Sequence, residues 1–115
     1  MGTEELIQEA RLRHSEGRFG VAADLLLEAF RQEPERPDVA REIGRLMRAI
    51  GDPAGAVSYL KRAWHLEPAD SLTVAELVLA LHELGRRDEA TQVMLASLDA
   101  GLEQTGFVAG LISSS

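Results

Sequence analysis

The side chains best equipped for chemistry in this sequence are three histidines, His14, His65 and His82, set among nineteen aspartates and glutamates. Cysteine is absent. That removes thiolate nucleophiles, disulfides and cysteine-based metal sites together. A zinc or acid–base centre would have to come from histidine and carboxylate alone. Two histidines four residues apart on one helical face are the usual sign of such a centre. None of these three has a partner at that spacing. The carboxylates are scattered, and Glu4, Glu5 and Glu9 suit solvation and the electrostatics of a helix start. Gly17-Arg18-Phe19-Gly20 lacks both the preceding strand and the following Lys–Ser/Thr of a phosphate loop. Catalysis needs convergent groups. No catalytic, cofactor-binding or metal-binding residue is assigned, no cofactor is expected, and the chain reads as a non-enzyme.

Arginine offers a different chemistry. Its guanidinium forks around carboxylates, and Arg41, Arg45 and Arg48 are spaced to share one helical face, with Arg11 34 residues before Arg45. That is the equipment of binding. The elements that carry these residues decide what they bind.

The 115 residues are enough for about one domain. They are 45% apolar but only 4% aromatic, so a core can form mainly from aliphatic side chains. Alanine, leucine, glutamate and arginine dominate, which favours helix. Alternating β-branched runs are missing. A net charge of −7 argues against nucleic acid as a partner. The start MGTEELIQEA is acidic and amphipathic, unlike a signal peptide, and Glu stands where a myristoylation signal needs Ser or Thr. No stretch approaches the ~20 apolar residues of a membrane span. A cytoplasmic location is the default expectation, with no membrane partner.

A period of 34 residues organises the chain. Gly17, Gly51 and Gly85 share it, as do Ala22, Ala56 and Ala90. Pro34 and Pro68 do too, with Leu102 as the third member of their column. A period in this range marks a solenoid of helical units. Ala40, Ile43, Gly44, Met47 and Ile50 follow three–four spacing and so line one helix face. Gly51 then stops that helix, and Asp52–Pro53 opens the next as N-cap and first helical residue. Ala56, Val57, Leu60, Ala63 and Trp64 make its buried stripe. Gly44 and Ala56 lack bulk, which lets two helix backbones approach closely. The pattern predicts helices over about 4–16, 19–33, 37–50, 53–66, 71–84 and 87–100.

The period, the Gly/Ala/Pro columns and the paired helices resemble the tetratricopeptide repeat family. The middle unit carries the resemblance best, with Ala40, Ile43, Gly44, Met47, Ala56, Leu60, Ala63 and Pro68. The third has Val78 where Gly or Ala is usual, and the first puts Glu9 and Arg13 in columns that are normally apolar. The resemblance implies an all-α fold: three tetratricopeptide-like antiparallel helix pairs stacked as a short right-handed α-solenoid, with a C-terminal tail. The repeats would cover residues 1–102, at about 3–36, 37–70 and 71–102, and residues 103–115 would be the tail.

In such stacks the first helix of each pair lines an inner groove that holds a peptide or helix. Here that implies a partner-binding groove of Ile7, Arg11 and His14, then Arg41, Arg45 and Arg48, then Leu72, Ala75, Leu79 and His82. Residues 37–70 carry five acidic and five basic side chains, whereas residues 71–104 carry six acidic and two basic. The middle unit is thus relatively positive. One expectation is a protein partner with an acidic part against the arginines and an apolar part against Leu72 and Leu79. The other is that these arginines pair with Glu42 or Glu9 on solvated helices. Some family members clamp the C-terminal carboxylate of chaperone tails with Lys, Asn and Arg. The matching places here hold Ile7, Arg11, Glu42, Leu72 and Glu76, which argues against that clamp.

The third unit is apolar almost all round, through Leu72, Val74, Leu77, Val78, Leu79, Leu81, Leu84, Val93, Met94, Leu95 and Leu98. Phe107, Val108, Leu111 and Ile112 in the tail are candidates to cover its open end or to drive self-association. Two functional expectations therefore stand: an interaction module or adaptor that uses the groove, or a self-associating assembly subunit, such as a homodimer, that uses the apolar end.

Overall fold

The computed structural model describes residues 1–102. Six helices follow one another: α1 (Thr3–Ser15), α2 (Phe19–Gln32), α3 (Pro37–Ala49), α4 (Pro53–Leu66), α5 (Ser71–Glu83) and α6 (Arg87–Asp99). Among the described residues there are no strands. Each boundary lies within a residue of its expected place. Consecutive helices pack as three hairpins, α1–α2, α3–α4 and α5–α6, and the hairpins stack through α2–α3, α4–α5 and α3–α5. Two apolar clusters result. Leu6, Ile7, Ala10, Ala22, Leu26, Val39 and Ile43 belong to one. Val57, Leu60, Val74, Leu77, Val78, Leu81 and Val93 belong to the other, with Met47 packed against both.

The glycine period has a single physical cause. Gly17, Gly51 and Gly85 adopt φ of +78°, +89° and +74°, the left-handed region where a side chain is strained. In each turn the glycine N–H bonds the carbonyl three residues back, at 3.0–3.1 Å, and the next N–H bonds the carbonyl five back, at 2.8 Å. Three identical caps satisfy the helix-end carbonyls and reverse the chain. The small-residue columns act in the same way inside the core. Ala22, Ala56 and Ala90 are each 0% exposed. At Gly44 a Cβ would lie 2.4 Å from Leu60 Cγ, so α3 and α4 nest there because no side chain intervenes.

Side chains cap helix starts in the second and third hairpins, at Asp52 as expected and also at Asp70. Asp52 accepts a hydrogen bond from the Gly55 N–H at 2.9 Å, with Pro53 opening α4. Asp70 accepts from the Thr73 N–H at 3.2 Å and from the Thr73 hydroxyl at 2.6 Å. Arg41 adds an ion pair to Asp70 at 3.0 Å, tying α3 to the start of α5. Burial works against this carboxylate's charge, but the Thr73 bonds and the Arg41 charge outweigh it and hold its pKa below the ordinary value.

Leu60 is fully buried and cannot swing clear of a new side chain. Gly44→Val is therefore expected to lose about 1–3 kcal/mol of stability through overpacking. Gly20→Ala meets nothing within 4 Å, and should gain up to about 1 kcal/mol from helix propensity. Urea unfolding of the two variants reads the opposite signs. Asp70 carries a pH signature. Its folded pKa is depressed, so its contribution is complete above the unfolded value of about 4 and is lost as pH falls through the folded value. Asp70→Asn should flatten the fall of unfolding free energy below about pH 4, and an unaltered slope would contradict the tie.

Candidate functional site

The first helices of adjacent hairpins lie side by side: α3 packs on α5, and α1 and α3 share a cavity. Between α1 and α3 lies an open cavity of about 590 Å³. Ile7, Ala10, Arg11 and His14 line it from α1, and Glu42, Arg45, Leu46 and Ala49 from α3. Ala22 and Leu26 of α2 form its floor. An apolar base with charged groups at its rim suits an amphipathic segment better than a small polar substrate.

Ile7 departs from the expected exposed position: it is 4% exposed and belongs to the core cluster. The reason lies in Glu9 and Arg13. These charged residues pair with each other, and Arg13 also bonds Glu16 at 2.9 Å, so their charged ends are held by one another and not placed in the apolar core. Leu6, Ile7 and Ala10 supply the buried face of α1 instead. Arg11 and His14 stay exposed, the His14 ring tilted against Phe19 at 5.1 Å.

The arginines of α3 divide into two kinds. Arg41 is committed to Asp70. Arg48 bridges Glu76 and Glu83 of α5, the latter at 2.5 Å, and is three-quarters buried. Burial alone would lower its pKa, yet the two carboxylates raise it above the ordinary arginine value. Neither is a free cation for a partner. Arg45 is different: it is 57% exposed and sits loosely between Glu42 at 3.5 Å and Glu76 at 3.6 Å. The pairing with Glu42 was expected. The ties to Glu76 and Glu83, 28 and 35 residues along the chain from Arg48, were not. They depend on the stacking of α3 on α5, although the 34-residue step brings Glu83 to within one position of Arg48's column.

On α5, Leu72 and Leu79 are 62% and 42% exposed, with Ala75 half-buried between them and His82 exposed beyond. Val74, Leu77, Val78 and Leu81 point the other way, into the core. The wall thus passes from the Arg11–Arg45 cavity to an apolar ridge on α5. Among the described residues, no group of three histidines or carboxylates could hold a metal ion, and no helix is long and apolar enough to cross a membrane.

A second depression, on the α4–α6 side, contains Lys61, Trp64 and Glu89. Three of its lining side chains, Trp64, Lys61 and Glu89, are engaged internally. Trp64 Nε1 donates to Ser97 Oγ at 2.9 Å, and Lys61 pairs with Glu89 at 2.6 Å. Ser97 occupies the column of Ala29 and Ala63, and it is fully buried. Its hydroxyl meets the indole and donates to the Val93 carbonyl at 2.7 Å. The sequence signal for this was a single polar residue in an alanine column.

The first tetratricopeptide domain of Spaghetti (RPAP3), solved bound to the HSP90 peptide SRMEEVD, superposes with a TM-score of 0.79 at 18% identity, covering 94% of this chain and 86% of that one. The second such domain, with the same peptide, gives 0.77 at 16% identity, over 85% and 91%. Crystalline MamA gives 0.78 at 18% identity, over 85% of this chain and 57% of that one, so this chain spans little more than half of MamA. At these identities the likeness is one of fold. No curated protein matches the sequence. The tetratricopeptide repeat family matches residues 47–104, half of the chain. With three equivalent glycine-capped hairpins in a 34-residue register, this chain belongs to the tetratricopeptide repeat family.

Proposed function

We infer that this chain is a protein-interaction module holding a partner peptide or helix along the α1–α3–α5 wall. The partner it suits carries acidic side chains for Arg11 and Arg45 and apolar ones for Leu72 and Leu79. The observation that carries this reading is the division among the arginines. Arg41 and Arg48 are consumed by ion pairs within the protein, while Arg45 remains 57% exposed at the rim of an apolar-based cavity. Arginine is among the residue types enriched at binding hot spots. Two structures of the same fold hold a peptide with three acidic residues, SRMEEVD, which supports the acidic half of the reading. A clamp on the terminal carboxylate is not part of it, since Glu42 and Glu76 stand in that region of the wall.

Selection from a displayed random-peptide library tests the reading. The wild-type chain should enrich peptides that pair an Asp/Glu cluster with spaced Leu, Ile or Phe. Arg45→Glu should weaken the selected peptides by roughly ten-fold, about 1.4 kcal/mol, and abolish the acidic preference. Leu79→Asp should weaken them without altering that preference. Arg87→Glu, on an exposed position of α6 away from the wall, serves as the control. Equal affinity of wild type and Arg45→Glu would remove the acidic-partner reading.

A further inference from the structure

Two gaps separate the first helices of the three hairpins, one between α1 and α3 and one between α3 and α5. The apolar tail residues Phe107, Val108, Leu111 and Ile112 lie outside the described residues, so these are the two gaps that the repeat allows to be compared. Both are pinned near the helix starts. Arg36 pairs with Glu4 at 2.5 Å across the first, and Arg41 with Asp70 at 3.0 Å across the second. At the other end they differ. There α3 packs directly on α5, whereas α1 and α3 border the cavity of about 590 Å³.

The 34-residue register shows the cause. Arg48 reaches across the second gap to Glu76 and Glu83, the latter at 2.5 Å. One unit earlier, the columns of Arg48, Glu76 and Glu83 hold His14, Glu42 and Ala49. The arginine has become histidine, and one carboxylate has become a methyl group. His14 leans on Phe19 at 5.1 Å, and Ala49 stays exposed on the cavity wall. Charge follows the same substitutions. In the second gap Arg45 and Arg48 meet Glu76 and Glu83, two cations against two anions. The first gap is rimmed by Arg11 and Arg45 with Glu42 alone, above an apolar floor that includes Ala22 and Leu26. One carboxylate is missing from it, and the column that lacks it is that of Ala49.

We propose that the α1–α3 gap is the anchor point of the wall and that Ala49 and His14 are the residues that keep it open. It takes one large apolar side chain of the partner, whose neighbouring carboxylate stands where Glu83 stands one unit further on. This rests on the groove reading and narrows it. The second gap supplies its own carboxylate, at the high effective concentration of an intramolecular group, and so seals itself against a partner's. The first gap has no such group, and its two exposed guanidiniums suit a carboxylate from outside.

A blocked Glu-Phe dipeptide, acetylated and amidated, carries both groups without a terminal charge. In methyl NMR titrations it should shift Leu26, Leu46 and Ala49. Blocked Gln-Phe should bind about five-fold more weakly for want of the charge. Ala49→Glu, at an exposed position, should weaken Glu-Phe by about ten-fold, because the chain then provides the carboxylate itself. His14→Arg alone should not weaken it, since the added guanidinium lacks a second carboxylate until the probe brings one. The double variant His14→Arg/Ala49→Glu should lose binding altogether, having reproduced the clasp of the second gap in the first. Equal binding by wild type and Ala49→Glu, or shifts confined to Leu72 and Leu79, would overturn this inference and leave the wall as the binding face. So would a loss in His14→Arg as large as that in Ala49→Glu. Silence along α1, α3 and α5 together would remove the groove reading as well.

Discussion

Helices can approach one another only as closely as the smallest side chains between them permit, and that limit governs this chain. Ala22, Ala56 and Ala90 sit at equivalent points of three hairpins with no exposed surface. Gly44 goes further, leaving Leu60 in van der Waals contact with bare backbone. With the rods nested there, the larger side chains interlock on either side, and Val39, Ile43, Leu77 and Leu81 become fully buried. The left-handed glycines set the hairpin angle that makes this approach possible. Packing and turn geometry thus support each other, as expected of a sequence whose local and global preferences agree.

Charge plays a second, more selective part. Ion pairs between helices join Arg36, at the start of α3, to Glu4 of α1, Arg62 of α4 to Glu35, Arg41 of α3 to Asp70 at the start of α5, and Arg48 of α3 to Glu76 and Glu83 of α5. Exposed pairs such as Arg62–Glu35 contribute little individually. The partly buried ones, Arg41–Asp70 and Arg48–Glu76, have a larger role because removing either partner would strand a charge between helices. They hold α3 in register with α5. They also withdraw two of the three α3 arginines from the pool available to a partner, which concentrates the available positive charge at Arg45 and Arg11.

The wall that results is chemically graded. Toward the first hairpin it offers an apolar-floored cavity rimmed by Arg11, Glu42 and Arg45. Toward the third it offers Leu72 and Leu79. Under the proposed function, this gradient would give a partner segment a direction, because its acidic and apolar parts could not be exchanged without burying charge on Leu72 and Leu79.

The amino-acid order by itself determined the six helices, their ends to within a residue, the capping role of Asp52 and the equivalence of Gly17, Gly51 and Gly85. These depend on contacts within a few residues, and a 34-residue period repeats the same local rules three times. It also marked Leu72 and Leu79 as outward-facing. What it could not decide was which charges remain free. Arg45 and Arg48 are neighbours on one helix, of the same residue type, yet one is exposed and the other is clasped between Glu76 and Glu83. Ile7 likewise moved from an expected surface to the core, once Glu9 and Arg13 had turned to each other. Both outcomes hinge on how one helix is rotated and shifted against its neighbour, a geometry set by packing across units.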